Sequence, residues 1–195
     1  MAWIKAGTTT LGSAGDTCNV TGLSNNKFIM ILFHRITDGS TRGKLRFNND
    51  SGSNYADRYN VNGGSEGTGT SNDNWNSQHY NMPNDSFWIA YFFNIASEEK
   101  LGIGYLNGRN STGAGNAPNR GETVYKWANT SDVISQVNFF NDSTGDYESG
   151  TNATVLGSDL TPTAASGVTV SDGVIFYETD TNKEYVLYNN TWTEI

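Results

Sequence analysis

Two histidines, one cysteine and twenty acidic residues are the groups in this 195-residue chain that could bind a metal or move a proton. Their spacing supports neither. His34 lies inside the apolar run K-F-I-M-I-L-F-H-R-I (27–36), and His79 lies in a polar segment. Two histidines and one cysteine would need carboxylates in an unusual arrangement to complete a four-ligand zinc site. Cys18 has no basic neighbour in sequence to stabilise a thiolate, so it reads as a small core residue on a strand rather than a nucleophile. H-E-x-x-H, G-x-S-x-G and P-loop motifs do not occur, nor does a G-x-G-x-x-G between a strand and a helix. No two carboxylates stand out on a strand as an acid–base pair, so glycosidase chemistry has no support. The sequence therefore names no catalytic, cofactor-binding or metal-ligating residue and no cofactor, and it predicts a protein that is not an enzyme.

Two constellations could bind rather than react. The stretches 48–52 (N-N-D-S-G) and 72–74 (N-D-N) hold oxygen ligands in loops that a calcium ion could use, but neither has the closing Glu of an EF-hand. Trp75, Trp88, Trp127, Tyr55 and Tyr59 could form a stacking platform for a surface glycan, although aromatics on alternating strands are more often core. Other partners are disfavoured by charge. A net charge of -8 and a pI near 4.6 repel nucleic-acid phosphates and anionic membranes. The N-terminus carries no signal-peptide pattern, and no apolar run is long enough to span a bilayer. The N-x-S/T triplets at Asn19, Asn110 and Asn152 follow from an Asn-, Ser- and Thr-rich composition. A lone cysteine rules out an internal disulfide framework.

The elements that must position these groups are all strands. Residues 44–59 set the pattern: Leu45 and Phe47 alternate with Lys44, Arg46 and Asn48, then a seven-residue polar turn leads to Tyr55 and Tyr59. Further strands are expected at 17–23, 27–36, 86–96, 101–106, 122–128, 133–140 and 151–156. Runs 27–36 and 86–96 are apolar on both faces, so each should be covered on two sides, in a sandwich centre or against a neighbouring subunit. Gly102 and Gly104 should admit a large side chain or another backbone. Residues 7–16, 60–80 and 107–121 read as loops, and 98–100 (E-E-K) as a charged turn. The sum is an all-β chain: a jelly-roll-like antiparallel β-sandwich over residues 1–160, a linker over 161–172, and a small C-terminal hairpin or three-stranded β appendage over 173–195. An appendage of that size buries too little surface to fold alone, so it needs the main domain, another subunit or a partner.

Three stretches carry a resemblance. G-V-I-F-Y-E-T-D-T-N-K-E-Y-V-L-Y-N-N-T-W (173–192) resembles short β segments in structural proteins of tailed viruses of bacteria and archaea. L-R-F-N-N-D-S-G-S-N-Y (45–55), with its glycine-rich continuation, and Y-E-S-G-T-N-A-T-V-L-G (147–157) are similar to parts of the jelly-roll-like domains of such proteins. The resemblance implies a virion component built on a β-sandwich and usually oligomeric, without giving its place on the particle; the favoured reading is a non-enzymatic capsid-surface decoration or fibre protein. It would assemble with other virion proteins (major capsid or tail) as a homo-oligomer, with a trimer as one form, and enter the virion in the host cytoplasm. It brings no catalytic residues with it. The alternative expectation is a carbohydrate-binding adhesin module of the tail-fibre type, using 60–80 and its neighbouring aromatics.

Overall fold

The computed structural model describes residues 3–37, 41–76, 85–109, 111–159, 173–178, 182–189 and 191–195. Contacts divide the chain into two compact units, Met1–Leu160 and Thr161–Ile195. The expected linker, His79 and Tyr80 lie outside the described residues.

The first unit contains β1 (Ile4–Thr10), β2 (Thr17–Val20), β3 (Phe28–Arg35), β4 (Gly43–Phe47), β5 (Tyr55–Val61), β6 (Gly67–Asn72), β7 (Trp75–Asn76), β8 (Ser86–Phe93), β9 (Lys100–Gly108), β10 (Asn119–Trp127), β11 (Val137–Asn141) and β12 (Asn152–Ser158). They form an eight-stranded sheet, β1-β12-β3-β8-β9-β10-β5-β6, and a four-stranded sheet, β2-β11-β4-β7. Every pairing is antiparallel. Both sheets are open, and no helix occurs among the described residues.

Side-chain alternation decides what lies between the sheets. The large sheet turns inward Ile29, Ile31 and Phe33 of β3, Trp88, Ala90 and Phe92 of β8, and Tyr125 and Trp127 of β10. The small sheet answers with Cys18, Val20, Leu45, Phe47, Val137 and Phe139, all almost wholly buried. Phe33 stacks on Phe139 at 3.8 Å between centroids, and Phe47 meets Trp75, Phe92 and Trp127 edge-on at 5.0–5.6 Å. Such ring pairs add about 1 kcal/mol each beyond their buried area. Gly102 and Gly104 sit in the inward row of β9. A Cβ on Gly102 would collide with the Phe92 ring, and one on Gly104 would lie 2.8 Å from Tyr125, so these glycines do admit large side chains.

Several expectations need correction. Residues 60–80 are not one loop: β5 runs on to Val61, and β6 and β7 follow. The glycines that look like loop punctuation face inward on β6, because a Cβ on Gly67 would strike the Tyr59 ring and one on Gly69 the Asp57 carboxylate. The stretch 7–16 begins as β1, where Thr8 reaches Thr154 of β12 hydroxyl to hydroxyl at 2.8 Å; β-branched threonines paired along β12 make a strand of a polar sequence. The expected strand 133–140 starts only at Val137, because Asn48 and Asn94 take the backbone groups of 133–136. The loop 107–121 shrinks as β9 extends to Gly108 and β10 starts at Asn119. Lys100 is no turn residue but the buried first residue of β9.

The second unit is a three-stranded antiparallel sheet, β13 (Ile175–Glu178), β14 (Lys183–Tyr188) and β15 (Thr191–Glu194), in that order. Asn182 and Asn189, both at positive φ, turn the chain on either side of β14. Ile175, Tyr177, Tyr188, Trp192 and Ile195 are exposed on it.

Candidate functional site

Most of the described residues whose chemistry drew notice in the sequence are used up inside the fold. Cys18 is fully buried, and desolvation pushes its thiol up to about 11 against a backbone hydrogen bond with Ala153, so it is far from a thiolate at neutral pH. His34 is exposed near the end of β3. In the oxygen-rich turn, the Asn48 side-chain oxygen accepts from Ser135 N (2.9 Å), Ser135 Oγ (3.2 Å) and Gln136 N (3.0 Å). The Asp50 carboxylate accepts from Trp127 Nε1 (2.7 Å), Gly52 N (2.8 Å) and Asn54 Nδ2 (2.9 Å). Burial raises the Asp50 pKa, but these three donors and the nearby Arg46 charge outweigh it and hold the carboxyl below its ordinary range. In the second oxygen-rich stretch, Asp73 is paired with Arg46 at 2.6 Å and accepts from Asn74. No group of three or more His, Cys, Asp or Glu among the described residues is placed to hold a metal.

The expected sugar platform is dispersed into the core. Trp75, Trp88, Trp127 and Tyr55 are each at most 2% exposed, and their polar tips are already bonded. Trp75 Nε1 donates to Ala56 O at 3.0 Å, Trp88 Nε1 to the Tyr125 hydroxyl at 3.1 Å, and the Tyr55 hydroxyl to Asp50 O at 3.0 Å. Tyr59 alone stays half-exposed, on the inward row of β5.

Sequence reasoning also missed three buried polar groups. Lys100 is wholly buried, and its ammonium donates to Ala96 O (3.1 Å), Glu98 O (2.8 Å) and Asn129 O (2.8 Å) while lying 5.6 Å over the Trp127 ring. Asn94 accepts from Ile134 N at 2.5 Å and donates to Asn26 O at 3.1 Å. Arg35 is buried in the inward row of β3 and donates to Thr41 Oγ1 at 2.8 Å; burial lowers its pKa to about 10, with Tyr147 and Asp85 opposing. Only the three-dimensional neighbours of these residues reveal their roles. All three hold connecting segments or strand ends, and none faces an open cleft.

One exposed surface is apolar. The outward row of each central strand of the large sheet carries hydrophobic side chains: Phe28, Met30 and Leu32 on β3, Phe87, Ile89, Tyr91 and Phe93 on β8, and Leu101, Ile103 and Tyr105 on β9. Register aligns Leu156, Met30, Tyr91, Ile103 and Val124 in one row across five strands. Leu101, Ile103, Tyr105 and Val124 are 50%, 48%, 51% and 50% exposed, in the middle of a sheet rather than at its fringe. A groove of about 740 Å³ crosses this face, bordered by Trp3, Phe28, Tyr91, Leu101, Ile103 and Val124, with Trp3 set edge-on to Tyr91 at 6.2 Å. Of the two covers expected for 27–36 and 86–96, the four-stranded sheet supplies the one on the inward face. Such an exposed apolar surface can bury area against another body.

Compared with protein-family models, with curated proteins and with solved structures, the chain finds no match in any of the three.

Proposed function

We propose that this protein is a non-enzymatic structural component of a tailed-virus particle, a capsid-surface decoration or fibre protein that works by assembling. The observation that carries the reading is the apolar outward face of the eight-stranded sheet, with four central residues about half exposed. Monomers rarely leave a contiguous apolar patch of that kind open to water. The likeness of 45–55, 147–157 and 173–192 to virion proteins supports the particular setting. So does the passage of the chain between sheets at β1–β2, β2–β3, β3–β4, β4–β5, β6–β7, β7–β8, β10–β11 and β11–β12, which is the habit of a jelly roll. The internal bonds of Asn48, Asp50, Asp73 and Lys100 give these four residues structural tasks. The test is mass spectrometry of density-gradient-purified particles from a culture that produces this chain. The reading expects the chain among the particle proteins at a copy number comparable to a capsid or tail component. Its presence in the lysate and absence from the particles would overturn the reading.

A further inference from the structure

We infer that the outward face of the eight-stranded sheet is covered by the same face of a second copy of this chain. The inference rests on the assembly reading above and supplies its contact surface.

Three observations select this occupant. The first is size. Six strands, β12 to β5 in sheet order, spaced about 4.8 Å apart and each about seven residues long at about 3.4 Å rise, span roughly 700 Å² before side-chain relief is added. A standard stable interface covers about 800 Å² on each partner, so this one face is large enough for a dimer contact.

The second is anatomy. The centre is apolar and the charges lie at the margins, as in a protein interface. Lys5 stands beside Leu156 at one margin. Arg58, Glu122 and Lys126 flank Val124 on β5 and β10, where the apolar row gives way to charge on the other side.

The third is charge. The chain carries a net charge of -8, yet the basic groups at the β10–β5 margin are already matched: Arg58 with Glu66, Arg120 with Glu122 at 3.6 Å, and Lys126 with Glu99 at 3.5 Å. A face prepared for a strongly charged partner would present unmatched charge of one sign. The β10–β5 margin is neutral pair by pair, so two copies can bring this margin together without unmatched like charges meeting. An apolar centre with a self-neutralised margin is complementary to itself, which is what a two-fold contact requires. A twisted sheet is also saddle-shaped, and two such saddles nest in aligned or near-orthogonal packing. In either arrangement the ridge formed by Ile103 and Tyr105 of one copy is available to fill the groove of the other.

Sedimentation equilibrium of the full chain across a wide concentration range tests this, with Ile103→Glu, Val124→Ser and Tyr188→Glu alongside. Both sheet-face residues are about half exposed, so their substitution leaves the inward core untouched, and near-ultraviolet circular dichroism checks that the fold is kept. The wild type is expected to self-associate. Ile103→Glu should weaken association by at least about 30-fold, the scale of losing a central interface contact. Val124→Ser should weaken it less, and Tyr188→Glu, on the C-terminal sheet, should leave it unchanged. A wild type that stays monomeric would overturn the inference. So would a folded Ile103→Glu with wild-type association, or dissociation caused by Tyr188→Glu. Each of these results leaves particle incorporation to be judged separately, so failure of the dimer face is distinguishable from failure of the virion reading.

Discussion

Trp127 donates its indole N–H to the Asp50 carboxylate at 2.7 Å, joining the last residue of β10 to the turn that leads from β4 to β5. The same carboxylate holds Gly52 N and Asn54 Nδ2, so one side chain organises the turn and ties it to the large sheet. Because the folded-state pKa of Asp50 is depressed, the unfolded chain takes up the proton first as pH falls. The stabilisation is complete above the unfolded carboxylate value, about 4, and drains away as pH drops through the folded value.

Asp50→Asn is therefore expected to cost about 1–3 kcal/mol at pH 7, since the amide keeps one neutral acceptor oxygen and turns an NH2 donor toward N–H groups the carboxylate accepted from. The gap between wild type and variant should narrow as urea melts are repeated from pH 7 down to pH 3. A gap that stays constant with pH would refute the assignment.

Asn48 combines a left-handed backbone, φ 53°, with four side-chain hydrogen bonds into 133–136. Asn48→Gly keeps the backbone conformation and loses the bonds; Asn48→Ala loses both. Both variants should be destabilised by about 2 kcal/mol or more, and the alanine variant by about 1 kcal/mol beyond the glycine one, the penalty for a Cβ at positive φ. Chemical denaturation of the pair checks this, and equal stabilities would contradict it.

Lys100→Met should be among the more damaging single changes outside the aromatic core. It removes the donor to three carbonyls that converge on one buried ammonium. We expect a loss of about 3 kcal/mol in urea unfolding. A loss under 1 kcal/mol would mean that water replaces the ammonium without difficulty.

The inward rows could be read from the sequence because alternation is a local signal. Leu45 and Phe47, or Trp88, Ala90 and Phe92, declare a buried face without reference to any other strand. The outward face was equally visible, since both rows of 27–36 and 86–96 are apolar; what the sequence could not say is that the second sheet covers only one of them. β6 was invisible because its G-T-G-T-S-N composition is that of a loop, and its inward glycines are explained only by Tyr59 and Asp57 on the neighbouring strand. The tasks of Asn48 and Lys100 were hidden for the same reason. Asn48 bonds to residues about 85 positions away, and the Lys100 carbonyl cage closes only when Asn129 comes into place. The aromatics proposed for a sugar platform failed as a site for a simple cause. Trp75 and Trp127 fall on inward rows, where their ring area is worth more to the core than to a ligand.

A cryo-electron microscopy map of the particle tests the central claim most directly. The account predicts density on the particle into which the two-sheet unit fits, with Ile103 and Val124 covered by the equivalent face of a neighbouring copy. A particle without such density would contradict the virion role. A fitted unit whose eight-stranded sheet lies bare to solvent would contradict the contact surface.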